Sequence, residues 1–67
     1  MYEYEKALIK IVESVGNGHT IANLSEKSFR NRNFESFEAH EIYDIARASS
    51  HLRYDEETQK VYLIKNS

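Results

Sequence analysis

"EAHEIYDIARASSHLRYDEETQKVYLI", residues 38–64, changes its apolar period partway along, and that change decides the fold. In the first half Ile42, Ile45, Ala46, Ser49 and Leu52 recur at helical spacing. Ser36, just upstream, is a helix-capping residue type, and Glu38 then falls in the first turn, where a carboxylate favours the positive end of the macrodipole. From Leu52 the period drops to two. Leu52 and Tyr54, and then Val61, Tyr62, Leu63 and Ile64 beyond the polar stretch 55–60, have the β-branched and aromatic content of strands. The spacing predicts a helix over 36–51 that runs into a hairpin over 52–65. Small Ala46 and Ser49 would let another helix approach closely. A lone hairpin is marginal in water, so this one has to lean on helices.

Those helices are readable upstream. Gly16-Asn17-Gly18 is the strongest punctuation in a chain without proline, a helix C-cap followed by a tight turn. Before it, Tyr4, Leu8, Ile11, Val12 and Val15 form an amphipathic stripe, with Glu3, Lys6, Lys10 and Glu13 on the far side. After it, Thr20 is a candidate N-cap for a second helix over 20–29, in which Ile21, Leu24, Ser25, Ser28 and Phe29 recur at helical spacing. Arg30-Asn31-Arg32-Asn33 then breaks the pattern with turn-prone asparagines. The fold class expected is α+β, three helices followed by a C-terminal hairpin, in one domain over residues 1–67.

Size and composition narrow the function. A chain of 67 residues buries only about 60 % of its unfolded surface, which leaves little room for a large enclosed active site. With no cysteine there is neither a disulfide framework nor a zinc–thiolate site. Glu3, Glu5, Lys6 and Lys10 interrupt the apolar residues of the first fifteen, unlike the apolar core of a signal peptide, and no run approaches the roughly 20 residues of a membrane span. A soluble, cytoplasmic protein is expected. Charge is uneven: residues 1–34 hold five basic and four acidic groups, residues 35–67 four basic and seven acidic.

Three helices followed by a hairpin, with 20–29 and 36–51 as the helix-turn-helix and 52–65 as the wing, resembles a minimal winged helix-turn-helix domain. The resemblance covers nearly the whole chain and rests on element order and length. It implies a third helix that reads DNA, with its N-terminal residues at base edges and basic side chains on phosphates around it. Two departures stand out. The link from about Arg30 to Glu35 is longer than a tight turn, and the helix start carries Glu35, Glu38, Glu41 and Asp44. Four carboxylates near a duplex cost affinity unless a basic frame outweighs them, and the wing tip is itself Asp55-Glu56-Glu57.

The outward stripe of the third helix is His40, Asp44, Arg47 and His51, with Tyr43 beside it. As a solvated face it would pair His40 with Asp44 and Asp44 with Arg47. As a protein-binding face it offers the Tyr, His and Arg common among interface anchors. In "FRNRNF", residues 29–34, arginines alternate between aromatics in a way that suits single-stranded nucleic acid. The simpler expectation is that Phe29 and Phe34 anchor a loop while Arg30 and Arg32 face water. Tyr2 and Ile9 lie together off the main stripe of the first helix, as a small exposed patch or a dimer or partner surface.

Chemistry-bearing constellations are sparse. His40 and Asp44 have two-ligand spacing, but His51 would lie about 16 Å from His40 along a helix axis, and a third ligand would have to come from His19 or an acidic loop residue. Ser49-Ser50-His51 sets a hydroxyl beside an imidazole without an oxyanion-type glycine loop, and Gly16 and Gly18 form no phosphate-binding pattern.

The function expected is therefore a non-enzymatic, regulatory protein-interaction module. It would present an acidic helix-plus-hairpin surface, acting by occlusion or recruitment. Such a surface could imitate DNA and occupy a basic groove, a mode that suits the size of phage or plasmid accessory proteins. Glu38, His40, Glu41, Tyr43, Asp44, Arg47 and His51 would meet a protein partner or a second copy of the chain. The alternative is a dimeric DNA-binding winged-helix transcriptional regulator. There Arg30, Arg32, Arg47, Arg53 and Lys60 would touch phosphates, and His40 or Tyr43 would reach bases. Neither reading calls for a cofactor, a metal, a small-molecule substrate or a membrane.

Overall fold

A computed structural model describes residues 2–64, and side chains from Glu3 onward. The chain is α+β. Its elements run α1 (Tyr2–Val15), β1 (His19–Thr20), α2 (Ile21–Arg30), α3 (Ala39–Ala48), β2 (Leu52–Asp55) and β3 (Lys60–Leu63). The predicted order of three helices and a hairpin holds, with one strand added between α1 and α2. The strands form an antiparallel sheet in the order β1-β3-β2.

The Gly-Asn-Gly turn does more than stop α1. Gly16, at φ 102°, lets its N–H donate back to the Val12 carbonyl at 2.8 Å. Gly18, at φ 86°, donates to the Val61 carbonyl at 3.0 Å, and Asn17 Oδ1 accepts the Leu63 N–H at 2.9 Å. These bonds lay His19 and Thr20 against Val61 and Lys60 as β1. Thr20 also caps α2, its hydroxyl accepting the Asn23 N–H at 3.1 Å, as the sequence predicts.

The core is built from Leu8, Ile11 and Val12 of α1, Leu24 of α2, Ile42, Ile45 and Ala46 of α3, and Leu52 and Val61 of the hairpin. Phe37, in the link between α2 and α3, completes it at 3 % exposure. Each of these side chains larger than alanine contributes about 1.5–3 kcal/mol when fully buried. Two aromatic expectations fail. Phe29, expected to anchor the loop, is 57 % exposed, and Tyr4, expected in the buried stripe, is 58 % exposed. Phe34 packs partly against the core, as expected. Phe37 takes the anchoring place because α2 holds its main chain: Ser28 Oγ accepts the Phe37 N–H at 2.9 Å, and Ser25 Oγ donates to the Phe37 carbonyl at 2.7 Å.

That clamp also shortens α3 relative to its prediction. Ser36 and Phe37 lie outside the helix, and Glu38, not Ser36, is the N-cap. Glu41 reaches back to accept the Glu38 N–H at 2.7 Å, one half of a capping box. Ser49 is the C-cap, so Ser49 and His51 lie beyond the helix. The hairpin turn uses residues 56–59, with Gln59 left-handed at φ 61°. Its main chain bonds the Asp55 carbonyl and the Ile21 N–H. Among the described residues no helix is long and apolar enough to cross a membrane.

Candidate partner-binding surface

α3 presents its residues to three different neighbourhoods. One flank meets the hairpin, where the rings of Tyr43 and Tyr54 sit edge to face with centroids 5.1 Å apart. Arg47 crosses this pair. It donates to the Tyr43 hydroxyl at 2.7 Å, stands 5.4 Å from that ring's centroid, and forms an ion pair with Glu56 of the hairpin turn. The expected pairs of His40 with Asp44 and of Asp44 with Arg47 are absent among the described residues; Arg47 instead turns to Tyr43 on its own helix and to the Glu56 carboxylate of the hairpin turn. Tyr54 has its pKa raised by removal from water and by the Glu56 carboxylate beside it.

The opposite flank of α3 opens a groove of about 370 Å³. Glu35, Glu41 and Asp44 supply carboxylates, and Tyr4, Phe37 and Ile45 supply apolar surface. Tyr4 meets Phe37 edge on, with centroids 6.4 Å apart. His40 and Glu38 are exposed at the start of the helix. His51 does not extend this surface. It lines a separate groove between α1 and the end of β3, with Glu5, Lys6, Ile9, Glu13, Leu63 and Ile64. Of the first-helix patch, Ile9 is packed partly against the core, whereas the side chain of Tyr2 lies outside the described residues.

The basic residues separate in the same way. Arg30 and Arg32 share a groove with Lys27, Val15 and Phe34 at the end of α1, and Arg30 pairs with Glu26 at 3.1 Å. Arg53 and Lys60 belong to the hairpin. Arg53 lies opposite Tyr62 in the strand register, its guanidinium 4.4 Å from that ring's centroid, while Lys60 faces Asp55. Asp55 is held below the ordinary carboxylate range, chiefly by the Glu57 N–H that donates to it at 3.0 Å and by the Thr58 hydroxyl.

Potential ligating groups are spent locally. His19 Nε2 donates to the Val15 carbonyl at 3.1 Å while Nδ1 accepts from Asn23 Nδ2 at 2.6 Å, a tautomer inferred from those partners. Among the described residues no three His, Asp or Glu side chains converge on a point that could hold a metal ion.

Tyr4, Glu35, Phe37 and Glu56 belong to this surface although none of them stands out in the sequence as a site residue. Their one-dimensional signals were a stripe position, a helix-start carboxylate, an aromatic at the start of the predicted third helix and a turn carboxylate. Comparison of the chain with protein-family models, curated proteins and solved structures finds no match.

Proposed function

We propose that this chain is a non-enzymatic interaction module on a winged-helix-like scaffold, and that α3 with its flanking groove docks on a basic surface of a protein partner. The element order α1-β1-α2-α3-β2-β3, with β1 paired to the inner strand of the hairpin, supports the scaffold reading. One observation carries the functional reading: Arg47, the only Arg or Lys of α3, is drawn onto Tyr43 and Glu56. Glu41 and Asp44 of α3, with Glu38 at its N-cap and Glu35 just before it, are thereby left without a neutralising cation among the described residues. A face of that sign repels phosphates and complements lysine and arginine. Occupying a basic groove would occlude it or recruit the module to it.

A second reading, DNA regulation, is favoured by Lys27, Arg30 and Arg32 gathering around one groove. Fluorescence anisotropy of a labelled random duplex separates the two. Phosphate contacts would give affinity that falls steeply between about 50 mM and about 200 mM salt. The interaction module is expected to leave the duplex free at both concentrations. A photocrosslinker at residue 44 is then expected to capture a protein from cells, with capture abolished by Glu35→Lys. Salt-sensitive duplex binding lost on Arg30→Ala and Arg32→Ala would overturn the protein-partner reading.

A further inference from the structure

The groove between α1 and the end of β3 lies apart from the α3 surface and has a different chemistry. Its floor is apolar: Ile9, Leu63 and Ile64, the last 42 % exposed. Its rim carries Lys6 and Glu13, both exposed. These two opposite charges stand on the same side of α1 but seven residues apart, about 10 Å along the axis, too far to pair with one another. Among the described residues neither forms an ion pair. Glu5, also on the rim, is turned toward the end of α3, where its carboxylate accepts the Ser49 hydroxyl.

We propose that this groove is a self-association surface, filled by the same groove of a second copy across a two-fold axis. The charge pattern argues for that occupant. If two α1 helices cross antiparallel at Ile9, Lys6 lies about 4.5 Å to one side of the axis and Glu13 about 6 Å to the other. Antiparallel packing therefore sets Lys6 of one copy against Glu13 of its mate, and symmetry makes the pair twice. In an isologous interface residue i meets j and j meets i, which this rim satisfies with one positive and one negative group. The two Ile9 side chains then meet at the centre, with Leu63 and Ile64 of each copy closing the apolar floor. The dimer leaves both α3 surfaces free, so the module would offer a partner two acidic faces and gain avidity where that partner is itself repeated.

Sedimentation equilibrium of the full 67-residue chain across micromolar concentrations tests this, with circular dichroism to confirm that each variant folds. The wild type is expected to be a reversible dimer. Lys6→Glu and Glu13→Lys are each expected to weaken it by about tenfold, since two rim attractions become repulsions. The double exchange Lys6→Glu/Glu13→Lys is expected to restore it. Ile64→Glu is expected to give monomer. A wild type that stays monomeric at the highest concentration overturns the proposal, whatever other protein or segment fills the groove. A dimer indifferent to these substitutions, or one that the double exchange does not restore, also overturns it. Because the readout is the mass of the chain alone, failure here leaves the α3 reading untouched.

Discussion

The main-chain N–H of Phe37 donates to the hydroxyl of Ser28, 2.9 Å away, and Ser28 is wholly buried. The same hydroxyl donates to the Ser25 carbonyl at 2.7 Å, so one small side chain in α2 satisfies groups on two segments. Ser28→Ala would leave the Phe37 N–H without a partner in a dry site. The expected cost is about 1–3 kcal/mol, which in a domain this small lowers the melting temperature by roughly 4–8 °C per kcal/mol. Ser25→Ala is expected to cost less, because the Ser28 hydroxyl also approaches the Phe37 carbonyl, at 3.3 Å. Thermal unfolding of the two variants checks the order. Equal losses would mean that Ser28 is no more important to the clamp than Ser25.

Two backbone positions in the left-handed region should respond oppositely to substitution. At Gly16, φ 102°, an added Cβ meets nothing within 4 Å, so Gly16→Ala tests backbone conformation alone. It is expected to destabilise by about 1 kcal/mol or more. Gln59, at φ 61°, contributes its main chain to the hairpin turn and is exposed, so Gln59→Gly is expected to be neutral or to stabilise by up to about 1 kcal/mol. Urea unfolding of both variants measures the two signs.

How far these features could be read in one dimension follows from how local their causes are. Leu8, Ile11 and Val12 announce their helix by spacing, and Thr20 its cap by identity, because each acts within one turn. β1 was hidden because two residues carry no period, and its pairing is decided by Gly18 and Asn17 reaching β3 more than forty positions away. Phe29 continues the helical stripe yet faces water. Phe37, with no periodic signal, is buried because Ser25 and Ser28 seize its backbone. On the surface, Arg47 had a nearby carboxylate at Asp44 but took the one at Glu56, which only the folded hairpin brings close. Site residues were legible as charges on a helix, not as the partners that those charges would choose.

Asp55 gives a pH dependence on the acid side. Its folded pKa lies below the ordinary 3.8, first because the Glu57 N–H and then because the Thr58 hydroxyl bond the carboxylate. An unfolded chain therefore takes up this proton at higher pH than the folded one. The stabilisation is present above the unfolded value and is lost as pH falls from there through the folded value. Asp55→Ala is expected to lower stability near neutrality and to flatten the fall of stability with acid. Urea midpoints measured from neutral pH into the acid range test this. An unchanged acid slope would show that the turn does not depend on the charged carboxylate.

Tyr54 reports on the opposite side of neutrality and on the ion pair that leaves α3 acidic. Its pKa is raised above 10.0, by desolvation and then by Glu56, while the Arg47 guanidinium pulls it down. The two partners therefore have opposite effects on one chromophore. Glu56→Gln is expected to bring Tyr54 ionisation back toward 10.0, whereas Arg47→Ala should push it further up. Ultraviolet titration, with Tyr54→Phe subtracted to isolate this ring, resolves both shifts. The sign for stability is also set: the folded state holds the phenolic proton longer than the unfolded state, so this contribution is full below the ordinary tyrosine value and is lost as pH rises through the folded one. If Arg47→Ala left Tyr54 unmoved, the guanidinium would not be resting beside this pair in solution. Arg47 would then be free to neutralise Asp44, and the uncompensated acidity on which the partner-binding reading depends would be gone.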